Sequence, residues 1–199
     1  MSIVYEKRNL IPSTVCEEII STFEKTHSKK LGCTSAGLKI NLKKCTEVHM
    51  HSQDNSWKHL EKYITTKILS EVKPFMSYLS SDIFKLTSME HFISIFGETF
   101  SETLILTGLQ IQKYNPGDYF KPHIDSLPGR VFAVILYLNT LENDQGGKTS
   151  FYDGRVIKPE QGKLIIFPTT WTHLHSGCEV IKGHKYIITS FLRKRISNA

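Results

Sequence analysis

The order of apolar and polar positions divides the chain near residue 104. Before that point apolar residues recur at helical spacing. Val15, Ile19, Ile20 and Phe23 fall three and four apart, and Thr14 with Glu17 forms a capping box ahead of them. A helix is predicted over about 14–28, closed near the Lys29-Lys30-Leu31-Gly32 turn. Trp57, Leu60, Ile64, Ile68 and Val72 repeat the pattern behind Asp54 or Ser56 as cap, and Met76, Leu79, Ile83 and Phe84 carry it past Pro74. At that spacing Trp57 reads as a core residue. Residues 3–10 predict an edge strand and 37–50 one or two short strands, while 86–104 favours no assignment.

From Leu104 the period shortens. LILTGLQIQKY, DYFKPHI, VFAVILYLN, KTSFY, RVI, KLIIF, THLH and KYIITSFL are separated by Pro-Gly, Leu-Pro-Gly, Gln-Gly-Gly, Asp-Gly, Gln-Gly and Lys-Gly signals. Short strands with a turn every dozen residues or fewer describe a sandwich, jelly roll or cupin-like barrel. The expected class is therefore α+β, a double-stranded β-helix (jelly-roll) core with N-terminal helices packed on one sheet. One domain is expected over 1–199, with 1–103 as mixed helical support and 104–195 as the β core.

Composition narrows the classes. In 199 residues, 40% hydrophobic and 22% charged side chains are enough for a core and exclude a disordered chain. No apolar run reaches the length of a membrane span. MSIVYEKRNL places charges where a signal peptide needs its apolar region, so a cytoplasmic location is expected. Cys16, Cys33, Cys45 and Cys178 are scattered without a Cys-x-x-Cys pair and read as reduced thiols, against a zinc ribbon or a disulfide framework. The net charge of +6 is spread along the chain. Its short clusters, Lys43-Lys44 and Arg193-Lys194-Arg195, read as solvated faces, so nucleic acid is not the expected partner.

Candidate chemistry begins at His123-Ile124-Asp125. On an extended segment, residues two apart project to one face, which puts an imidazole beside a carboxylate. These are two of the three ligands of a facial triad that holds non-haem Fe(II) with open positions. A third would come from a distant strand, where His173 and His175 stand together in TWTHLHSG and spacing alone does not choose between them. His49 and His51 lack a third ligand at useful spacing and read as surface histidines. The final strand's alternation puts Lys185, Ile187, Thr189 and Phe191 on one face.

Taken in order, Tyr114-x2-Gly117-x-Tyr119-x3-His123-x-Asp125, Gly146-Gly147-x-Thr149, Pro159-x2-Gly162, Phe167-Pro168 and His175-x9-Lys185 resemble the prolyl 4-hydroxylase branch of the 2-oxoglutarate- and Fe(II)-dependent dioxygenases. The resemblance covers about residues 108–195 and selects His175, ten residues before the basic residue that binds 2-oxoglutarate in that family. It implies Fe(II) on His123, Asp125 and His175, the far carboxylate of 2-oxoglutarate on Lys185, and further cosubstrate contacts from Tyr114 and Tyr137; Thr189, on the Lys185 face, adds a hydroxyl. O2 is the second cosubstrate, ascorbate an expected reductant, and a proline-containing peptide the expected partner, with Arg155 and Trp171 near it and residues 41–55 closing over it. A hydroxylase of a free amino acid or other small molecule would share these residues. A nucleic-acid dealkylase of the superfamily fits less well, because Arg193 and Arg195 stand too far beyond His175. A non-catalytic cupin-like binding module should lack an intact triad.

Overall fold

A computed structural model describes residues 3–34, 37–50, 55–85, 88–96, 100 and 102–195. Its first half carries β1 (Tyr5–Lys7), α1 (Ser13–Lys25), β2 (Lys30–Leu31), β3 (Lys43–Lys44), β4 (Thr46–His49), α2 (Asn55–Ser70), α3 (Val72–Tyr78) and α4 (Met89–Phe96). The second half carries β5 (Leu104–Leu106), β6 (Gln110–Tyr114), β7 (Tyr119–His123), β8 (Arg130–Tyr137), β9 (Thr149–Phe151), β10 (Val156–Ile157), β11 (Leu164–Pro168), β12 (His175–Gly177) and β13 (Lys185–Lys194). No helix among the described residues is long and apolar enough to cross a membrane.

Two antiparallel sheets face one another. The larger runs β1-β11-β8-β13-β6-β4-β2, with β5 also on β13; the smaller runs β10-β9-β12-β7-β3. Alternation along the central strands sorts their side chains between two cores. Phe132, Val134 and Leu136 of β8, Leu164 and Ile166 of β11 and Ile188 and Leu192 of β13 pack under the helices, with Ile19, Phe23, Trp57, Ile64, Ile68 and Phe75. Ala133, Ile135 and Tyr137, Ile165 and Phe167, and Ile187 turn the other way, between the sheets. Burial on both faces is why VFAVILYLN and KLIIF read as unbroken apolar runs. It also means that a polar side chain on the inner face of the larger sheet is enclosed.

The helices depart from the sequence reading at their ends. α1 starts at Ser13, and the Pro12 carbonyl accepts from Val15 and Cys16 N–H at 3.2 Å each. These are the first bonds of the helix itself, and no side chain caps it, so the expected Thr14–Glu17 capping box does not form. The helix stops at Lys25, and Lys30–Leu31 pair with β4 as a strand. Pro74 has no N–H for the Ser70 carbonyl, so the second helix breaks at Glu71 and Pro74 enters the first turn of α3, where its missing donor costs nothing. Trp57 is buried as expected. Asp54 and His51 lie outside the described residues. In the segment left unassigned, Met89–Phe96 is helical. LILTGLQIQKY divides into β5 and β6 at Thr107-Gly108-Leu109, and THLH turns through a 3-10 segment at Trp171–His173 before β12. Strands from the first fifty residues enter both sheets, so the architecture does not divide at residue 104.

Candidate active site

His123 and His175 lie opposite one another in the smaller sheet, where β12 pairs with β7. The register then slips, with Gly177 opposite Phe120, so three steps of β7 match two of β12. Pro122 stands in that bulge, where its missing N–H breaks no ladder bond. Asp125 is not on the strand, as the alternation had suggested. It follows the end of β7 and turns its carboxylate back, Oδ1 at 3.7 Å from His123 Nε2 and Oδ2 at 3.5 Å from His175 Nε2. One donor atom from each residue lies within 4.8 Å of the others.

Both imidazoles are held by their far nitrogen. His123 Nδ1 donates to the Lys121 carbonyl at 2.8 Å and His175 Nδ1 to the His173 carbonyl at 3.0 Å. Each bond selects the tautomer that leaves Nε2 bare and aimed at Asp125, the arrangement a metal needs. Phe120 stacks on His123 with 3.4 Å between centroids, and Phe167 meets His175 edge-on at 4.7 Å. Burial, with the neighbouring His175 second, pushes the His123 pKa down to about 3, so the ring is neutral near pH 7. Burial pushes the Asp125 carboxyl up. A cation among these groups would reverse that cost, and two neutral nitrogens with one carboxylate suit Fe(II). His173 is buried but turned away, with Nδ1 bonded to the Thr172 hydroxyl at 2.9 Å.

A cavity of about 660 Å³ opens beside the triad, between the sheets. Lys185, Ile187, Thr189 and Phe191 all line it, so the alternation read from the last strand holds. Lys185 is 2% exposed. Its Nζ donates to the Gly147 carbonyl at 3.0 Å and lies 4.5 Å over the Tyr114 ring. No carboxylate among the described residues pairs with it, and burial pulls its pKa down to about 8. An enclosed cation with one neutral acceptor and an aromatic face is costly unless an anion arrives. Gly147 permits the arrangement: its φ is +67°, and a Cβ there would meet Leu141 Cδ1 at 2.6 Å.

The remaining expectations divide. Tyr114 lines the cavity, but its hydroxyl donates to Gln112 Oε1 at 2.7 Å. Tyr137 is fully buried behind the wall, its hydroxyl 2.7 Å from Thr149 Oγ1, and Thr149 is the side chain that faces the cavity. Arg155 and Trp171 are not brought to the site. Arg155 donates to the Val4 carbonyl at 3.3 Å, and the 3-10 turn throws Trp171 outward, 79% exposed. From the segment expected to close over the site, Leu42, Lys43, Glu47 and His49 do line the cavity. Lys43 is buried in an ion pair with Glu47 at 2.7 Å, and Lys44 pairs with Asp118 at 3.1 Å, so this basic cluster is no free patch.

Gln112 and Arg130 are among the lining residues that escaped the sequence reading. Gln112 is two positions before Tyr114 on β6, and the same alternation would have put it on the inner face. Arg130 lies flat over Phe191 with 3.5 Å from its guanidinium carbon to the ring centroid, a pairing that only the β8–β13 register creates.

Residues 109–193 match the family model described as the 2OG-Fe(II) oxygenase superfamily. Among curated proteins, prolyl 4-hydroxylase 1 of Arabidopsis thaliana is 23% identical over 157 residues, covering 62% of this chain and 53% of that protein. Human procollagen-lysine,2-oxoglutarate 5-dioxygenase 2 is 33% identical over 87 residues, covering 41% of this chain and 11% of that protein. The chain thus spans about half the length of the first of these relatives, or less. Among solved structures, a prolyl hydroxylase from Trichoplax adhaerens, in complex with a hypoxia inducible factor oxygen degradation domain peptide fragment, superposes with a TM-score of 0.72 at 16% identity. That match covers 98% of this chain and 84% of the other and establishes the shared jelly-roll fold.

Proposed function

We propose that this protein, whose residues 109–193 match the family model of the 2OG-Fe(II) oxygenase superfamily, is a prolyl 4-hydroxylase-like dioxygenase that hydroxylates peptidyl proline. The observation that carries the reading is the triad of His123, Asp125 and His175 set in one cavity with a buried Lys185 that no carboxylate among the described residues pairs with. His123 and His175 offer Nε2 and Asp125 one carboxylate oxygen to Fe(II). Lys185 receives the far carboxylate of 2-oxoglutarate, which supplies an anionic partner that no described residue offers it. Thr189 and Thr149 offer hydroxyls from the same walls, and the ring of Tyr114 carries the lysine. With Fe(II), 2-oxoglutarate and O2 bound, the site supplies an oxidant that converts a substrate C–H to C–OH with release of succinate and CO2. The chain's own groups orient these partners and exclude water from between the sheets. The prolyl hydroxylase names among the relatives and solved structures support peptidyl proline as the target class.

The test is an assay of purified protein with Fe(II), ascorbate and 2-oxoglutarate, following succinate and the gain of one oxygen by mass spectrometry. A proline-rich peptide should raise succinate release and acquire the oxygen on proline, and His123→Ala or Asp125→Ala should abolish both. Oxygen found only on a free amino acid would move the target to small molecules. Absence of both metal binding and turnover would defeat the reading.

A further inference from the structure

We propose that the buried Lys43–Glu47 pair belongs to the electrostatics of the metal site: Glu47 cancels the charge of Lys43, so that the triad can hold a divalent cation. The inference rests on the metal reading above and adds to it two residues outside the ligand set. One residue, Cys45, separates β3 from β4, and there the chain passes from the smaller sheet to the larger. Lys43 stands opposite Phe120 of β7, and Glu47 opposite Gln112 of β6. Both side chains line the cavity and are 3% and 7% exposed. Lys43 Nζ donates to Glu47 Oε2 at 2.7 Å and to the Cys33 carbonyl at 3.2 Å. Glu47 Oε1 accepts from the Cys33 N–H at 3.2 Å. The pair therefore joins the two sheets at this corner and ties Cys33 to both.

Lys43 is the member of the pair that faces the triad. Its Nζ stands 5.5 Å over the Phe120 ring, and that ring stacks on His123 with 3.4 Å between centroids. The two contacts put the ammonium within about 9 Å of the imidazole that offers Nε2 to the metal. Burial dominates the protonation of both neighbouring ligands. Against that background the Lys43 charge disfavours a proton on His123 and on Asp125 alike. A charge that repels a proton repels a divalent ion twice as strongly at the same distance. Alone, Lys43 would weaken the site it adjoins. Glu47 supplies the opposite charge at 2.7 Å, and no other carboxylate among the described residues pairs with this lysine. The join between the sheets is thus neutral as a unit.

The experiment is a calorimetric titration of Mn(II) into the protein without 2-oxoglutarate, with thermal melts of the same samples. Glu47→Gln keeps the side chain's shape and an oxygen for the Cys33 N–H but leaves Lys43 uncancelled. It should weaken Mn(II) about tenfold or more. Lys43→Met removes the cation and should bind Mn(II) as tightly as the parent or more tightly. Each single variant strands one buried charge and should melt lower than the parent. A purely structural role would therefore weaken Mn(II) in both, whereas the charge role separates them. The double variant, Lys43→Met with Glu47→Gln, restores neutrality and should bind within about threefold of the parent. Parent-like affinity in Glu47→Gln, or a loss in Lys43→Met as large as in Glu47→Gln, would overturn the assignment. If Glu47→Gln does not fold, the other two variants still decide. A loss of about tenfold in either overturns the assignment, and parent-like or tighter binding in both supports it. Failure of the parent protein to bind Mn(II) would instead defeat the metal reading.

Discussion

Lys185 concentrates the conflict between folding and function at the scale of one residue. A cation enclosed with a carbonyl and an aromatic ring is worse off than in water, and its pKa falls to about 8 for that reason. The folded protein binds this proton less well than the unfolded chain. Wild-type stability therefore rises with pH from about 8 towards 10.5, the ordinary lysine value, and the penalty is fully present below that window. Lys185→Met should accordingly stabilise the ligand-free protein at pH 7, by on the order of 3 kcal/mol. Thermal melts should show that gain shrinking as pH rises through the window. The same variant should weaken 2-oxoglutarate by about a hundredfold or more while leaving metal affinity unchanged. A variant that neither gains stability nor loses cosubstrate would remove Lys185 from the site.

Among the elements, the helices act at a distance from the chemistry. α1, α2 and α3 cover the face of the larger sheet that looks away from the cavity, so their loss would be felt as stability before it was felt as geometry. Phe75 of α3 is fully buried and meets Phe132 of β8 edge-on, with centroids 4.8 Å apart. Phe75→Ala should cost about 3–5 kcal/mol in denaturant unfolding. Its Mn(II) affinity under native conditions should match the parent's, because β7 and β12 lie in the other sheet. A matched loss of metal affinity would mean that the helical layer sets the triad directly. The smaller sheet is the opposite case. Its strands are short, and its β7–β12 bulge bends the chain at the residues that matter, so its geometry is functional before it is stabilising.

For the whole molecule, a bound metal should hold the smaller sheet together at the β7–β12 pair. The candidate ligands arrive from β12 and from the end of β7, and only the folded chain brings their donor atoms within 4.8 Å of one another. A metal that binds only the folded chain should raise the unfolding free energy by about 2.7 kcal/mol at a free concentration a hundred times its Kd. Mn(II) should therefore raise the Tm, and a chelator should reverse the shift. His175→Ala should melt at the same temperature with and without metal. A metal-dependent shift in that variant would place the ion elsewhere.

What the sequence by itself determined is local in origin. Helical spacing found the helices behind Phe23 and Trp57, and turn residues found most strands. The ordered set from Tyr114 to Lys185 resembled an oxygenase because each motif is short and read within one segment. The two-residue period also put Lys185 and Thr189 on one face. What only the tertiary structure decided depends on partners far apart in the chain. His175 opposes His123 through strand pairing, while His173, two residues away, turns aside. α1 starts at Ser13 with Pro12 in the N-cap place, so Thr14 falls inside the first turn and cannot cap the helix. Tyr137 kept its place but lost its access, since Thr149 of β9 stands between it and the cavity. Arg155 is held at the Val4 carbonyl, and the 3-10 turn at Trp171–His173 leaves Trp171 exposed. Gln112 meets Thr189 only because β6 and β13 lie side by side, a proximity between distant segments that residue spacing does not carry.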